Sequence, residues 1–258
     1  LKRALLKKLQ TEPDTFWNEQ LSWLYVQQKE YNRAFIQEKA IFKRGEASLD
    51  RIFDLALISK DNENYDTAVD IFNFIKEQPI EENTLIKIHQ YILEIKVETA
   101  GIDTYNELEK EFLTLFETFG HTSRTISIQL NYADFLAFKT HKINEAIDFL
   151  KTHEDQPLGR FDRARYQMKT GDVLVASGKF NQALINYSKI QKKLKNNAIS
   201  QEARFKVAKT SYYKGDFDWA LHQLKVLKSS TSQLIANDAL DLHLLINDHI
   251  KEDSLHVA

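Results

Sequence analysis

Apolar residues recur along this chain with the period of an α-helix, and short polar breaks interrupt them at regular intervals. Phe217, Ala220, Leu221, Leu224 and Leu227 fall at i, i+3, i+4, i+7 and i+10, which is one stripe of a helix. Phe205, Ala208, Tyr212 and Tyr213 precede them at similar spacing. Met168, Gly171, Leu174 and Val175 stand in the same relation to the helix predicted from Phe180. Helices are thus expected in consecutive pairs, joined by turns at 177–179, 214–216 and 60–64. Gly178 and Gly215 suit the left-handed conformation that ends a helix. Pro79 and Pro157 stop the helices before them.

The stripes are organised by a ladder of small residues. Tyr31-x-x-Ala34, Tyr65-x-x-Ala68, Ile143-x-x-Ala146, Phe180-x-x-Ala183 and Phe217-x-x-Ala220 share one pattern, with Ala-to-Ala spacings of 34, 78, 37 and 37. The 78 is twice 39, so a degenerate copy is expected in between. A fixed period of this length is the signature of stacked repeats, in which neither helix of a pair can bury its apolar stripe alone. A compact helical bundle also places Ala at close crossings, but it needs no fixed period. The expected pairs run over 14–45, 47–79, 82–120, 123–156, 160–196 and 199–230. An unpaired first helix follows at 231–250, with an apolar stripe of Leu234, Leu242, Leu245, Ile246 and Ile250.

Gly171, Gly178, Phe180, Ala183 and Tyr187 in the fifth pair, then Ala208, Gly215, Phe217, Ala220 and Leu224 in the sixth, resemble the tetratricopeptide repeat family, with its unit of about 34 residues. Ala56, Tyr65, Ala68 and Phe72 follow the same pattern in the second pair. The resemblance implies an all-α fold, a right-handed superhelical solenoid of antiparallel helix pairs. Three departures stand out: Glu38 takes a large apolar position, Asp134 takes a small one, and residues 82–122 hardly fit. The stretch LIANDALDLHLLINDHI at 234–250 resembles repeat proteins of Bacteroidetes cell envelopes. That resemblance implies a bacterial envelope setting ahead of a cytoplasmic one, while the residues themselves leave the compartment open.

Composition narrows the chemistry. Only 7 Gly and 3 Pro in 258 residues leave little for the many turns of an all-β fold, and the absence of Cys removes disulfides, thiolate metal sites and cysteine nucleophiles together. No run of apolar residues is long enough to span a membrane. The chain opens on Leu1 without an initiator Met and reads as a piece of something longer, so an uncovered C-terminal stripe is expected to invite self-association. The Gly residues never cluster into a phosphate loop, and the 8 His form no HExxH motif. Ser, His and Asp show no nucleophile elbow. No catalytic residue, cofactor or metal is expected.

Charge is segregated under a net of -2. Residues 189–228 carry ten basic and three acidic side chains, and residues 46–120 carry 17 acidic and six basic. The readings are two solvated faces, an acidic partner drawn to the basic end, or nucleic acid; the last is disfavoured because the acidic stretch repels the same polymer. Members of the resembled family commonly bind an extended peptide along the first helix of each pair. Carried over, that implies a groove of Asn131, Phe135 and Phe138, then Arg165 and Lys169, then Lys206, Lys209 and Tyr213. The expected function is a non-enzymatic scaffold for a protein or peptide, acidic by charge, with a structural spacer as the rival and an enzyme built across repeats as a third reading.

Overall fold

The computed structural model describes residues 1–46, 48–195, 197–228 and 232–256, with side chains through residue 248, Gln233 excepted. Among these residues there is no strand. Contacts divide the chain into two compact units, Leu1–Ala100 and Gly101–Ala258. The first holds α1 (Lys2–Thr11), α2 (Thr15–Gln27), α3 (Tyr31–Lys43), α4 (Leu49–Asp61), α5 (Tyr65–Lys76) and α6 (Glu82–Thr99). The second holds α7 (Tyr105–Phe119), α8 (Ile126–Asp134), α9 (Ile143–Thr152), α10 (Arg160–Ala176), α11 (Phe180–Lys193), α12 (Ala198–Tyr213), α13 (Phe217–Leu227) and α14 (Gln233–His256). Helices pair as α2 with α3, α4 with α5, α8 with α9, α10 with α11 and α12 with α13. α1 lies ahead of the first expected pair and joins the core of the first unit through Leu5, beside Leu21 and Tyr25. No helix among the described residues is long and apolar enough to cross a membrane.

All five ladder alanines, Ala34, Ala68, Ala146, Ala183 and Ala220, have no exposed surface. A small residue stands twelve or thirteen positions before each, on the preceding helix: Ser22, Ala56, Ala133, Gly171 and Ala208. Ala56 and Ala208 are equally enclosed. Gly171 makes room for a ring: a Cβ there would sit 2.3 Å from Tyr187 Cε1. That ring's hydroxyl donates to Asp172 Oδ1 at 2.7 Å.

The fourth pair corrects the expectation that Asp134 occupies the small position. The last turn of its first helix widens into a π turn over Phe135–Lys139. This takes up one extra residue before the ladder helix, so the small position falls on Ala133, which is fully buried. Asp134 is thereby turned onto the helix's other face. The first pair resolves its own departure in a different way. Glu38 is 5% exposed and accepts from Ser22 Oγ at 2.5 Å, from Arg51 Nε at 3.0 Å and from Arg51 Nη2 at 3.0 Å. Ser22 stands at that pair's small position, and Arg51 comes from the next first helix, α4. The guanidinium also pairs with Glu19. A buried carboxylate is thus fully bonded, as its removal from water requires.

One turn shape recurs five times. Lys29, Glu63, His141, Gly178 and Gly215 each lie two residues before a ladder helix and each has φ between 57° and 81°. In four of them the next amide bonds back across the helix end, as Glu30 N–H to Tyr25 O at 2.8 Å and Lys179 N–H to Leu174 O at 2.9 Å. In the π-turned helix the same bond runs one residue further, from Lys142 to Leu136 at 2.8 Å. Only two of the five positions carry Gly, so three hold side chains in a conformation that disfavours them.

The C-terminal helix differs from its expected stripe. α14 packs on α12 and α13 through Ile235, Ala239, Leu242 and Ile246, at i, i+4, i+7 and i+11. Leu234 and Leu245, expected on one stripe with Leu242 and Ile246, are 72% and 44% exposed, because the true helical period separates them from it. Ile250 lies outside the described side chains.

Thermal unfolding tests this reading of crossings and turns. Gly171→Ala should lower stability by about 1 to 3 kcal/mol, since Tyr187 would have to leave its seat. Glu63→Gly should raise it by about 1 kcal/mol by relieving the left-handed turn. Gly178→Ala should lower it by a similar amount through backbone strain alone, because nothing lies within 4 Å of the added Cβ.

Candidate functional site

The first helices of the second unit carry three matched stripes. On α8 and its π turn they are Ser127, Asn131, Asp134 and Phe138, spaced i, i+4, i+7 and i+11; on α10 they are Arg165, Lys169 and Asp172; on α12 they are Lys206, Lys209 and Tyr213. Side chains tie the stripes into one face. Arg165 donates to Ser127 Oγ at 3.0 Å. Lys169 pairs with Asp134 across α10 and α8. Lys206 Nζ lies 2.7 Å from Asp172 Oδ1 across α12 and α10. Asp134 and Asp172 each directly follow a small crossing residue, and Lys169 and Lys206 each precede one by two, so a single ion pair is repeated at the period of the fold.

The repeated pair changes which of the expected groove residues can meet a ligand. Lys169 and Lys206 are engaged within the chain. Burial holds the Asp134 carboxyl above the ordinary carboxylate range, with Lys169 pulling it back. Phe135 has no exposed surface and stacks in the core against Phe112 at 5.7 Å. The Asn131 Nδ2 amide is covered and has no acceptor among the described residues. Four residues stay accessible: Phe138 at 46%, Tyr213 at 50%, Arg165 and Lys209. Arg165 makes only an exposed contact to Asp162 beside its bond to Ser127. Lys209 sits where α8 and α10 carry Asp134 and Asp172, and its ammonium lies 5.9 Å from the Tyr213 ring centroid. Sequence reasoning missed the pairing, although the separations of 35 and 34 residues between partners equal the repeat.

A second feature has no counterpart in the sequence analysis. A cavity of about 430 Å³ is lined by Leu113, Phe116, Glu117, His121, Tyr132, Leu136, Glu145, Phe149 and His153. The imidazoles of His121 and His153 meet there at a tilt, with centroids 3.8 Å apart. Phe116 packs on His121 at 4.5 Å and Phe149 on His153 at 4.7 Å. His153 Nδ1 lies 2.8 Å from Phe149 O, which fixes its proton on that nitrogen. Tyr132 donates to Glu109 at 3.2 Å, and Glu109 in turn holds Lys142 at 2.9 Å. Burial first, then the Glu109 charge, pushes the Tyr132 hydroxyl up, so it stays a donor. Among the described residues no group of three His, Asp or Glu is arranged to hold a metal ion.

Two tests follow from these contacts. For the repeated pair, a double-mutant cycle on Asp172→Asn and Lys206→Met should give a coupling of about 0.5 to 1 kcal/mol in denaturant unfolding, and less in high salt. For the imidazoles, burial and the neighbouring His153 depress His121 below its ordinary 6.5. A depressed folded value means the stability it contributes is present above 6.5 and is lost as pH falls through the folded value. Unfolding measured across that range should show this loss, and His121→Phe should flatten it; an unchanged slope would assign the pH dependence to other groups.

No family model and no curated protein matches the sequence. The fold is similar to that of a tetratricopeptide repeat protein from Parabacteroides merdae, at a TM-score of 0.57 and 13% identity over 94% of this chain and 91% of that one. It is also similar to TTC0263, a thermophilic TPR protein of Thermus thermophilus, at 0.55 and 15% over 77% of this chain and 100% of that one. A chain of the APC/C hetero-tetramer Cut9–Hcn1 aligns at 0.55 and 9%, over 93% of this chain and 45% of that one. The paired helices, buried ladder and these likenesses agree: the chain has the fold of the tetratricopeptide repeat superfamily.

Proposed function

We propose that the protein is a non-enzymatic scaffold that binds a protein or peptide on the first-helix face of α8, α10 and α12. One observation carries the reading. Phe138, Arg165, Lys209 and Tyr213 remain accessible on a face whose other charges, Asp134, Lys169, Asp172 and Lys206, are paired with one another. Exposed aromatics beside cations are the composition of contact surfaces, and a spacer has no use for them. The Cut9–Hcn1 structure is itself a hetero-tetramer, so a chain of this fold works there inside an assembly. An acidic ligand fits best, because Arg165 and Lys209 are cations without a buried counter-charge, and the basic stretch 189–228 continues their sign.

The pairing dictates the experiment. Lys206→Glu would set two carboxylates side by side and disturb the fold, so Arg165→Glu with Lys209→Glu is the informative variant. Arrays of acidic, neutral and basic peptides of equal length, probed at low and high ionic strength, should show acidic peptides retained at low salt by the native protein and lost in the variant. Equal retention in both proteins would move the binding surface elsewhere and favour the spacer. Self-association belongs to the same proposal: Leu240, Leu244 and Leu245 are 44%, 53% and 44% exposed on α14. Sedimentation of Leu240→Glu with Leu244→Glu against the native chain tests it, and a native chain that stays monomeric at high concentration ends it.

A further inference from the structure

The cavity beside the imidazole pair stands apart from the first-helix face and has its own chemistry. Its floor is Phe116 and Tyr132, both buried, with Leu136 beside them. Phe149, His121 and His153 form half-buried walls, and the exposed rim carries Leu113, Glu117 and Glu145. Both formal charges in the lining are negative, and no Lys or Arg is part of it. Lys142 stands outside the lining, engaged by Glu109 at 2.9 Å and more loosely by Glu145 at 3.7 Å. Glu117 has no ion-pair partner among the described residues. The Tyr132 hydroxyl donates to a carboxylate, which enriches its ring with electron density.

From this lining we infer that the cavity binds an organic cation, an ammonium or guanidinium group carried on an apolar stem. Ring faces attract a cation through their quadrupoles, most strongly where water is displaced. Leu113 and Leu136 cover the stem, while Glu117 and Glu145 supply the opposite charge at the mouth. The volume of about 430 Å³ suits a small molecule or a single long side chain. An anion would meet two carboxylates, and the neighbouring cation, Lys142, is already engaged by Glu109 and Glu145. A neutral apolar guest would leave those carboxylates without a role.

The probes are butyltrimethylammonium, butylguanidinium, hexanol as a neutral guest of similar size, and hexanoate as an anion. A short peptide containing one Arg and its Arg→citrulline counterpart complete the set. Titration is followed by the ring resonances of His121 and His153 and by calorimetry. The cations should bind saturably and shift both imidazoles, with affinity about tenfold above hexanol and hexanoate. Glu117→Gln with Glu145→Gln, both exposed and outside the core, should reduce cation affinity by about tenfold and leave hexanol unchanged. Binding of the free cations as tightly as the Arg peptide supports a small-molecule cation as the source; preference for the Arg peptide over citrulline supports a side chain of a partner. Hexanol or hexanoate binding as tightly as the cations, or no shift of either imidazole with any probe, would overturn the inference. This outcome does not depend on the first-helix face, whose variant residues lie outside the cavity lining.

Discussion

The crossing of small residues is the constraint on which the rest of this structure depends. Two helices of a pair can come close because Ala34, Ala68, Ala146, Ala183 and Ala220 are fully buried and the first helix carries a small residue twelve or thirteen positions before each of them. Backbones held this near leave no room for a longer side chain, and interiors this densely packed transmit any excess volume. Everything else is an accommodation to that approach. The left-handed residue two positions before each ladder helix returns the chain at the needed angle. The π turn at Phe135–Lys139 absorbs an extra residue so that Ala133 still reaches the crossing. Ser22 brings a hydroxyl to the crossing of the first pair, where a buried carboxylate needs it.

Once the crossings are fixed, side chains about one repeat apart on successive first helices of the same unit become neighbours. Asp134 with Lys169 and Asp172 with Lys206 are the consequence in the second unit. Lys60 with Glu94, at 3.1 Å and 34 residues apart, is the same logic with the charges reversed in the first. Half-exposed pairs of this kind contribute little energy individually. Their effect is to consume charge: of the four expected groove cations, Lys169 and Lys206 are engaged across helices, while Arg165 and Lys209 stay exposed. On the proposed reading, the face offers a partner what the repeat leaves over.

The ladder was legible because its spacing is long-range evidence that needs no special residue at any single point. The turns at 177–179, 214–216 and 60–64 are legible from their Gly or polar residues, but the left-handed conformation is signalled only at Gly178 and Gly215. Lys29, Glu63 and His141 adopt the same conformation without glycine, so no residue type announces the positive φ there. Asp134 was read as an interruption because a π turn shifts register by one residue, and a spacing of 78 does not reveal where the extra residue sits. The family's spacing carries Phe135 onto the groove, but the π turn begins at this residue and it is buried in the core. The cavity was invisible for another reason. His121 and His153 are 32 residues apart in a loop and at a helix end, and their neighbours are set by packing, so no local motif announces them. α1 escaped notice because its basic residues dilute an apolar stripe that only Leu5 and its neighbours carry.

The most direct test of the central claim is the unfolding free energy of Ala183→Leu and Ala220→Leu, each compared with a Leu substitution at an exposed position of the same helix. The account predicts a loss of about 1 to 3 kcal/mol at each crossing and little change at the exposed site. Equal stability of the crossing and surface variants would show that these alanines do not set the approach of the helices, and the explanation of the turns, the π turn and the ion pairs built on them would fall with it.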